Sequence, residues 1–262
     1  MSLVLLLCCL AVTVSCTVKE DRTVCPCIIT ADLSSLDVQG MRADGCATLR
    51  WSLSSGEGLR EGTFFLADLP DSFEIPSPRE NVRLTLFAGA EEVLTDDGEV
   101  LIPEGSESPP IWAYSAVVDA VAAEETLVKV QMHKKFAVLE MRLVGLDDFF
   151  SGCSVVVEGR FAGLSDTLTP REGPFRVVSH FSSGGSCSMR LPVQGDSSLR
   201  LSLYRDGVLE RSFALGEYIG RSGFDWSATD LGDIFLEIEL LRSAAKIKIN
   251  QWEDILFFSI VV

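Results

Sequence analysis

The sequence predicts an all-β fold of two tandem β-sandwich domains, and three observations lead there. Apolar and polar residues alternate with period two at Leu49/Trp51/Leu53, Val82/Leu84/Leu86, Leu139/Met141/Leu143, Leu199/Leu201/Leu203 and Leu236/Ile238/Leu240. Successive side chains of a strand point to opposite faces of its sheet, so this alternation marks half-buried strands. Turn signals punctuate the runs at Ser54-Ser55-Gly56, Asp96-Asp97-Gly98, Ser182-Ser183-Gly184-Gly185 and Arg205-Asp206-Gly207, as in sandwiches of many short strands. The length of 262 residues accommodates two such units. A boundary near residue 130 gives an N-terminal sandwich over 28–130 and a C-terminal one over 131–262, the second opening with a strand from Phe136 to Leu143. One or two helical turns are predicted from Ala214 to Ile219, closed by Gly220, and a long loop from Ile102 to Pro110. The run ending the chain, from Asp254 to Val262, predicts a strand, which either closes the second domain, the favoured reading, or is donated to a neighbouring subunit.

Ahead of the domains, Met1 to Ser15 carries no charged side chain, and Leu3 to Val14 is apolar over the length of a secretory h-region, too short to span a bilayer. Residues 1–15 therefore read as a signal peptide. The following Thr13-Val14-Ser15-Cys16 resembles the lipobox of bacterial lipoproteins, in which cleavage exposes a cysteine that carries a lipid such as palmitate. Each buried methylene of an acyl chain contributes about 0.8 kcal/mol, so lipidation at Cys16 would anchor an otherwise soluble domain. Residues 16–27 then form a tether. Within it, Lys19-Glu20-Asp21 resembles the surface-export signal of Bacteroidetes lipoproteins, which implies a place on the outer membrane, facing outward.

A formal net charge of −16 excludes nucleic acid as a partner, since that recognition depends on Lys and Arg neutralising phosphates. A content of 47% hydrophobic residues excludes disorder. Beyond the signal peptide lie Cys16, Cys25, Cys27, Cys46, Cys153 and Cys187. Export permits disulfides, and Cys153 with Cys187, and Cys46 with Cys25 or Cys27, are the candidate pairs. Cys25-Pro26-Cys27 is too tight for zinc-finger spacing, so no metal site is assigned.

No catalytic pattern emerges. His133 and His180 have no metal-ligand spacing, and the chain contains no Gly-x-Ser-x-Gly elbow, phosphate loop or His-Glu-x-x-His helix. The acid pairs Asp147-Asp148 and Glu124-Glu125 read as solvated loop residues. No enzyme activity and no cofactor are expected. Among the aromatics, Trp51 and Trp252 suit core packing, Trp252 just before the last strand. Trp226, and Trp112 and Tyr114 beside the long loop, are the candidates for a sugar platform, the basis of an alternative reading as a glycan-binding lipoprotein of nutrient uptake.

Taken in order, Cys16 with Lys19-Glu20-Asp21 and Cys25-Pro26-Cys27, then Ile102-Pro103-Glu104-Gly105, Pro110-Ile111-Trp112-Ala113-Tyr114, Lys134-Lys135-Phe136-Ala137-Val138-Leu139, Leu215-Gly216-Glu217-Tyr218-Ile219, Gly223-Phe224-Asp225-Trp226, Asp230-Leu231 and Ile249-Asn250-Gln251-Trp252 resemble the FimB-type minor fimbrial subunits of Bacteroidales. These are the lipoproteins that anchor type V pili. The resemblance implies two transthyretin-like sandwiches, no enzymatic activity, and a fimbrial shaft subunit as partner. It further implies a role in fixing the fimbria to the outer membrane, for cell adhesion, and in limiting its length. Contact through strand addition at a sheet edge is the mode it suggests.

Overall fold

The structure is a computed structural model and describes residues 25–144, 152–240 and 244–257. All five alternating runs fall in strands, apart from Leu199, which stands one residue before its strand. The first domain contains β1 (Cys27–Asp32), β2 (Thr48–Ser55), β3 (Gly58–Phe65), β4 (Ser72–Ser77), β5 (Asn81–Ala88), β6 (Val100–Leu101), β7 (Trp112–Asp119), β8 (Glu125–Lys129) and the short β9 (His133–Lys134). The second contains β10 (Phe136–Val144), β11 (Cys153–Leu164), β12 (Pro170–His180), β13 (Ser186–Pro192), β14 (Arg200–Arg205), β15 (Val208–Phe213), β16 (Ile234–Leu240), β17 (Ala244–Ile249) and β18 (Trp252–Phe257).

Each domain packs two sheets face to face. In the first, the order β4-β1-β8 opposes β3-β2-β5-β7-β9; in the second, β13-β10-β16-β17-β18 opposes β12-β11-β14-β15. These are one topology used twice. In both, the opening strand is antiparallel to the fourth and parallel to the strand that returns last, β1 with β4 and β8, and β10 with β13 and β16. The second sheets are antiparallel throughout. The transthyretin-like pair of sandwiches is therefore present, as an internal repeat in which β1, β2, β3, β4, β5, β7 and β8 correspond to β10 through β16.

Two separate cores follow from the alternation. The first runs from Cys27 to Met132 and includes Ile29, Leu49, Leu53, Leu84 and Leu86; the second runs from Ala137 to Ile249 and includes Leu139, Met141, Leu201, Leu203, Leu236 and Ile238. Burying each such side chain contributes about 1.5–3 kcal/mol. Charge complements the apolar pattern on β16 and β17, where Glu237 faces Lys248 and Glu239 faces Lys246 across the ladder, which favours this register.

Two local features differ from expectation. The predicted helix forms as α2, and it spans Leu215–Arg221, starting one residue later and ending two residues later, so Gly220 lies inside it. The left-handed residue that follows the helix is Gly223, with φ of 82°, the conformation glycine adopts without a Cβ clash. A second short helix, α1 (Val38–Ala43), precedes α2 in the chain; the carboxylate of Asp37 caps it by accepting from Gly40 N at 2.9 Å. The terminal run is described as far as Phe257, where β18 pairs antiparallel with β17 and closes the second domain. It begins at Trp252, which thus lies within the strand, and residues 258–262 lie outside the described residues.

Candidate functional site

Cys16, Lys19, Glu20 and Asp21 lie outside the described residues. The N-terminal segment joins the fold at Cys25, and Arg79 fastens it there: its Nε donates to the Cys25 carbonyl at 2.8 Å and its Nη1 to the Ala123 carbonyl at 3.2 Å. Three residues on, Ile28 N donates to Glu124 O at 2.9 Å, so the point of attachment sits beside the start of β8.

Among the described residues Cys25, Cys27, Cys46 and Cys187 are present as thiols. Cys153 stands on β11 and Cys187 on β13, which belong to opposing sheets. The Cys46 thiol is directed at the Pro110 carbonyl, 3.1 Å away, and Cys27 Sγ lies 3.7 Å from Thr126 Oγ1. Burial, reinforced by Glu91 and Asp44, pushes the Cys46 thiol up to about 12, and burial does the same to Cys187. Both are held as neutral, poorly nucleophilic thiols at neutral pH.

Much of the molecule's specific polar chemistry lies at the domain junction. The stretch expected as a long loop, Ile102 to Pro110, is without regular structure, yet Ile102 and Ser108 are buried because the segment straps the two domains together. Just before it, β6 from the first domain pairs with Gly163 and Leu164 of β11, and Ile102 N donates to Ala162 O at 2.7 Å. Glycine is required at 163, since a Cβ there would lie 1.9 Å from the Val100 carbonyl oxygen. Further along, Glu107 takes Arg190 N at 2.9 Å and Arg190 Nη2 at 2.8 Å, while Arg190 Nε reaches the Ser108 carbonyl at 2.8 Å.

From the other side, the β11–β12 turn reaches over the first domain. Ser115 Oγ donates to the Asp166 carbonyl at 2.7 Å, and Arg83 pairs with the Asp166 carboxylate at 3.4 Å. Leu168 at the tip adopts φ of 61°, a strained conformation for a residue with a side chain, and packs into a third apolar cluster of Phe87, Ile102 and Ile111 from one domain and Leu164, Val193 and Leu231 from the other. A third fastening holds the connection between domains. Asp230 accepts from Lys134 N at 2.9 Å and pairs with His133 Nδ1 at 3.1 Å, and Asp233 accepts from Lys134 Nζ at 2.6 Å and Val138 N at 3.0 Å. Burial raises the Asp230 carboxyl, but these bonds from Lys134 and His133 outweigh it and leave it below its ordinary value. The motifs Ile102-Pro103-Glu104-Gly105, Lys134-Lys135-Phe136 and Asp230-Leu231 thus converge on this junction. The strained turn at Leu168 carried no sequence signal, because neither Gly nor Asn marks it.

The candidate aromatics are placed apart, Trp112 and Tyr114 on β7 and Trp226 beyond α2. Trp51 packs against the first core with its ring 5.5 Å from Phe73, as expected. Trp112 and Tyr114 lie on β7, pack on that same core, and Trp112 Nε1 donates to Asp44 at 2.9 Å. Trp226 packs edge-on to Phe224 between the second core and the junction, and Trp252 stacks near Tyr218 on the second core. Glu124 and Glu125 open β8 at an exposed edge, and Asp147-Asp148 lie outside the described residues. Among the described residues no cluster of His, Cys, Asp and Glu forms a metal site, and no helix is long and apolar enough to cross a membrane.

No family model matches the sequence. No curated protein matches it. Solved structures do match its fold. The fimbrial anchor protein Mfa2 of Porphyromonas gingivalis superimposes with a TM-score of 0.64 at 12% identity, over 90% of this chain and 100% of that one. The chain has the fold of the minor fimbrial subunits. A Bacteroides ovatus protein described as an adhesin matches with a TM-score of 0.65 at 11% identity, covering 88% of this chain and 95% of its own. A Bacteroides thetaiotaomicron protein described as polysaccharide-binding matches with a TM-score of 0.62 at 11% identity, covering 87% and 97%. Both domains are shared with each, since the matched regions span nearly the whole of every chain.

Proposed function

We propose that this chain is a surface lipoprotein that anchors a fimbria of the type V pilus kind to the outer membrane and limits its length. In this reading residues 1–15 are removed, a lipid on Cys16 holds the membrane end, Lys19-Glu20-Asp21 directs export, and the two sandwich domains, divided after β9, carry the contact with a shaft subunit through a sheet edge. The chain acts as a structural link and not as an enzyme. The single observation that carries the proposal is the end-to-end agreement of its two-domain fold with that of a fimbrial anchor. Three fastenings between the domains support it, because a link under tension must pass load from one sandwich to the next. The test is recovery of the protein from its native surface with identification of its partners, alongside a Cys16→Ala variant. Co-isolation of a polymeric shaft subunit, and release of the variant from the membrane, are expected; a sugar-importer complex in place of the fimbria, or unchanged membrane attachment, contradicts it.

A further inference from the structure

The repeat gives the two domains corresponding edges that meet different fates. On the second domain, the outer edge of β16 is covered by β17, which runs antiparallel to it. On the first, the corresponding strand is β8, and among the described residues its only ladder partner is β1. The bonds show which groups this leaves uncovered. Ile28 N donates to Glu124 O, and Val130 N donates to Asp32 O. In a parallel ladder each residue directs its N–H and C=O to the same side and successive residues alternate, so 124, 126, 128 and 130 face β1. Glu125, Leu127 and Lys129 therefore present their backbone groups outward. The matching residues of β16 do the same toward β17, where Phe235 O accepts from Asn250 N at 2.9 Å.

The side chains repeat the asymmetry. Glu237 and Glu239 of β16 are answered by Lys248 and Lys246. On β8, Glu125 and Lys129 bracket Leu127, which is 62% exposed, so an acid, an apolar residue and a base stand in a row with no neighbouring strand on that side. An uncovered edge of this kind templates pairing with another chain.

We infer that the outer edge of β8 is a docking edge for an extended strand of another protein subunit, running antiparallel to β8 as β17 does to β16, with a basic residue opposite Glu125, an apolar one opposite Leu127 and an acidic one opposite Lys129. This rests on the fimbrial reading for the partner's identity, and on the repeat for the edge. Main-chain bonds to Glu125, Leu127 and Lys129 supply affinity, and the charge order fixes register and direction.

The probe is a synthetic extended peptide with Glu, Val and Lys at alternate positions, compared with one in which Glu and Lys are exchanged, each added to the full chain. Binding is read by calorimetry and by amide exchange at Leu127. The first peptide is expected to bind and to protect the Leu127 amide, and the exchanged one to bind at least tenfold more weakly. Leu127→Pro removes only an outward N–H, the placement that edge strands tolerate, and is expected to abolish binding. Leu127→Lys keeps the N–H and a soluble fold while placing a base in the apolar position, and is expected to weaken binding several-fold. An amide at Leu127 already protected in the chain alone, by its own N-terminal segment or by a second copy, overturns the inference, as does equal binding of both peptides or of neither. Recovery of a shaft subunit unaffected by Leu127→Pro overturns the edge assignment and leaves the fimbrial reading intact; absence of any fimbrial partner, with the peptide result as expected, does the reverse.

Discussion

The two domains share one topology, yet the second closes its returning strand with a hairpin and the first does not. Ile247 and Ile249 of β17 are buried in the second core, so the hairpin completes that domain as well as covering its edge. The first domain reaches a sealed core without such a hairpin, with Val128 and Val130 as its last inward residues on that side. Among the described residues no strand covers the outer edge of β8, whereas β17 covers that of β16.

Removing the hairpin would make the second domain imitate the first. Truncation after Leu240 takes two buried isoleucines from the core, about 3–6 kcal/mol by area alone. The expected outcome in calorimetry is loss of the C-terminal transition or its fall by well over 10 °C, with the N-terminal transition retained. Retention of both transitions would show that the hairpin is an accessory.

Uncoupling the domains is a second way to compare them. Gly163→Val places side-chain atoms against the Val100 carbonyl and should break the β6–β11 pairing at a cost of about 1–3 kcal/mol, the range for forcing bulk into a close-packed site. The C-terminal and N-terminal thermal transitions are expected to move further apart. Glu107→Ala strips Arg190 of a partly exposed partner, and about 1 kcal/mol is expected at the same junction, with no change in either domain's own core.

Acid tests the third fastening more gently. The Asp230 carboxyl lies below its ordinary value in the folded chain, so the unfolded chain binds the proton more readily. Its contribution is therefore present in full above the unfolded value of about 4 and is lost as pH falls through the lower folded value. Asp230→Asn should lower stability by less than about 1 kcal/mol at pH 7 and flatten the decline below about pH 4, as followed by chemical denaturation. The smallest perturbation is chemical labelling. At pH 8 a maleimide should modify exposed Cys25 readily and reach buried Cys46 only after unfolding, since burial holds that thiol protonated.

The strands were legible because each has one wet and one dry face, so Leu84 and Leu86, or Ile238 and Leu236, advertise themselves by period. The repeat was not legible: its two copies agree in strand order and direction, which hydrogen bonds between distant segments determine, and not in the residues of any one strand. The junction was half legible. Asp230 and Lys134 fell inside recognisable motifs, but nothing in a linear sequence says that residues 96 apart will bond. Cysteine pairing was not legible either, because it depends on how distant strands are arranged, and Cys153 and Cys187 stand on strands of the two facing sheets.

The asymmetry between the two domains is tested most directly by amide exchange at Leu127 and at Glu237, the outward positions of the two corresponding strands. Leu127 should exchange near the rate of an unstructured amide, and Glu237, covered by β17, should be slower by at least a hundredfold. Equal protection at the two amides would contradict an open edge on the first domain.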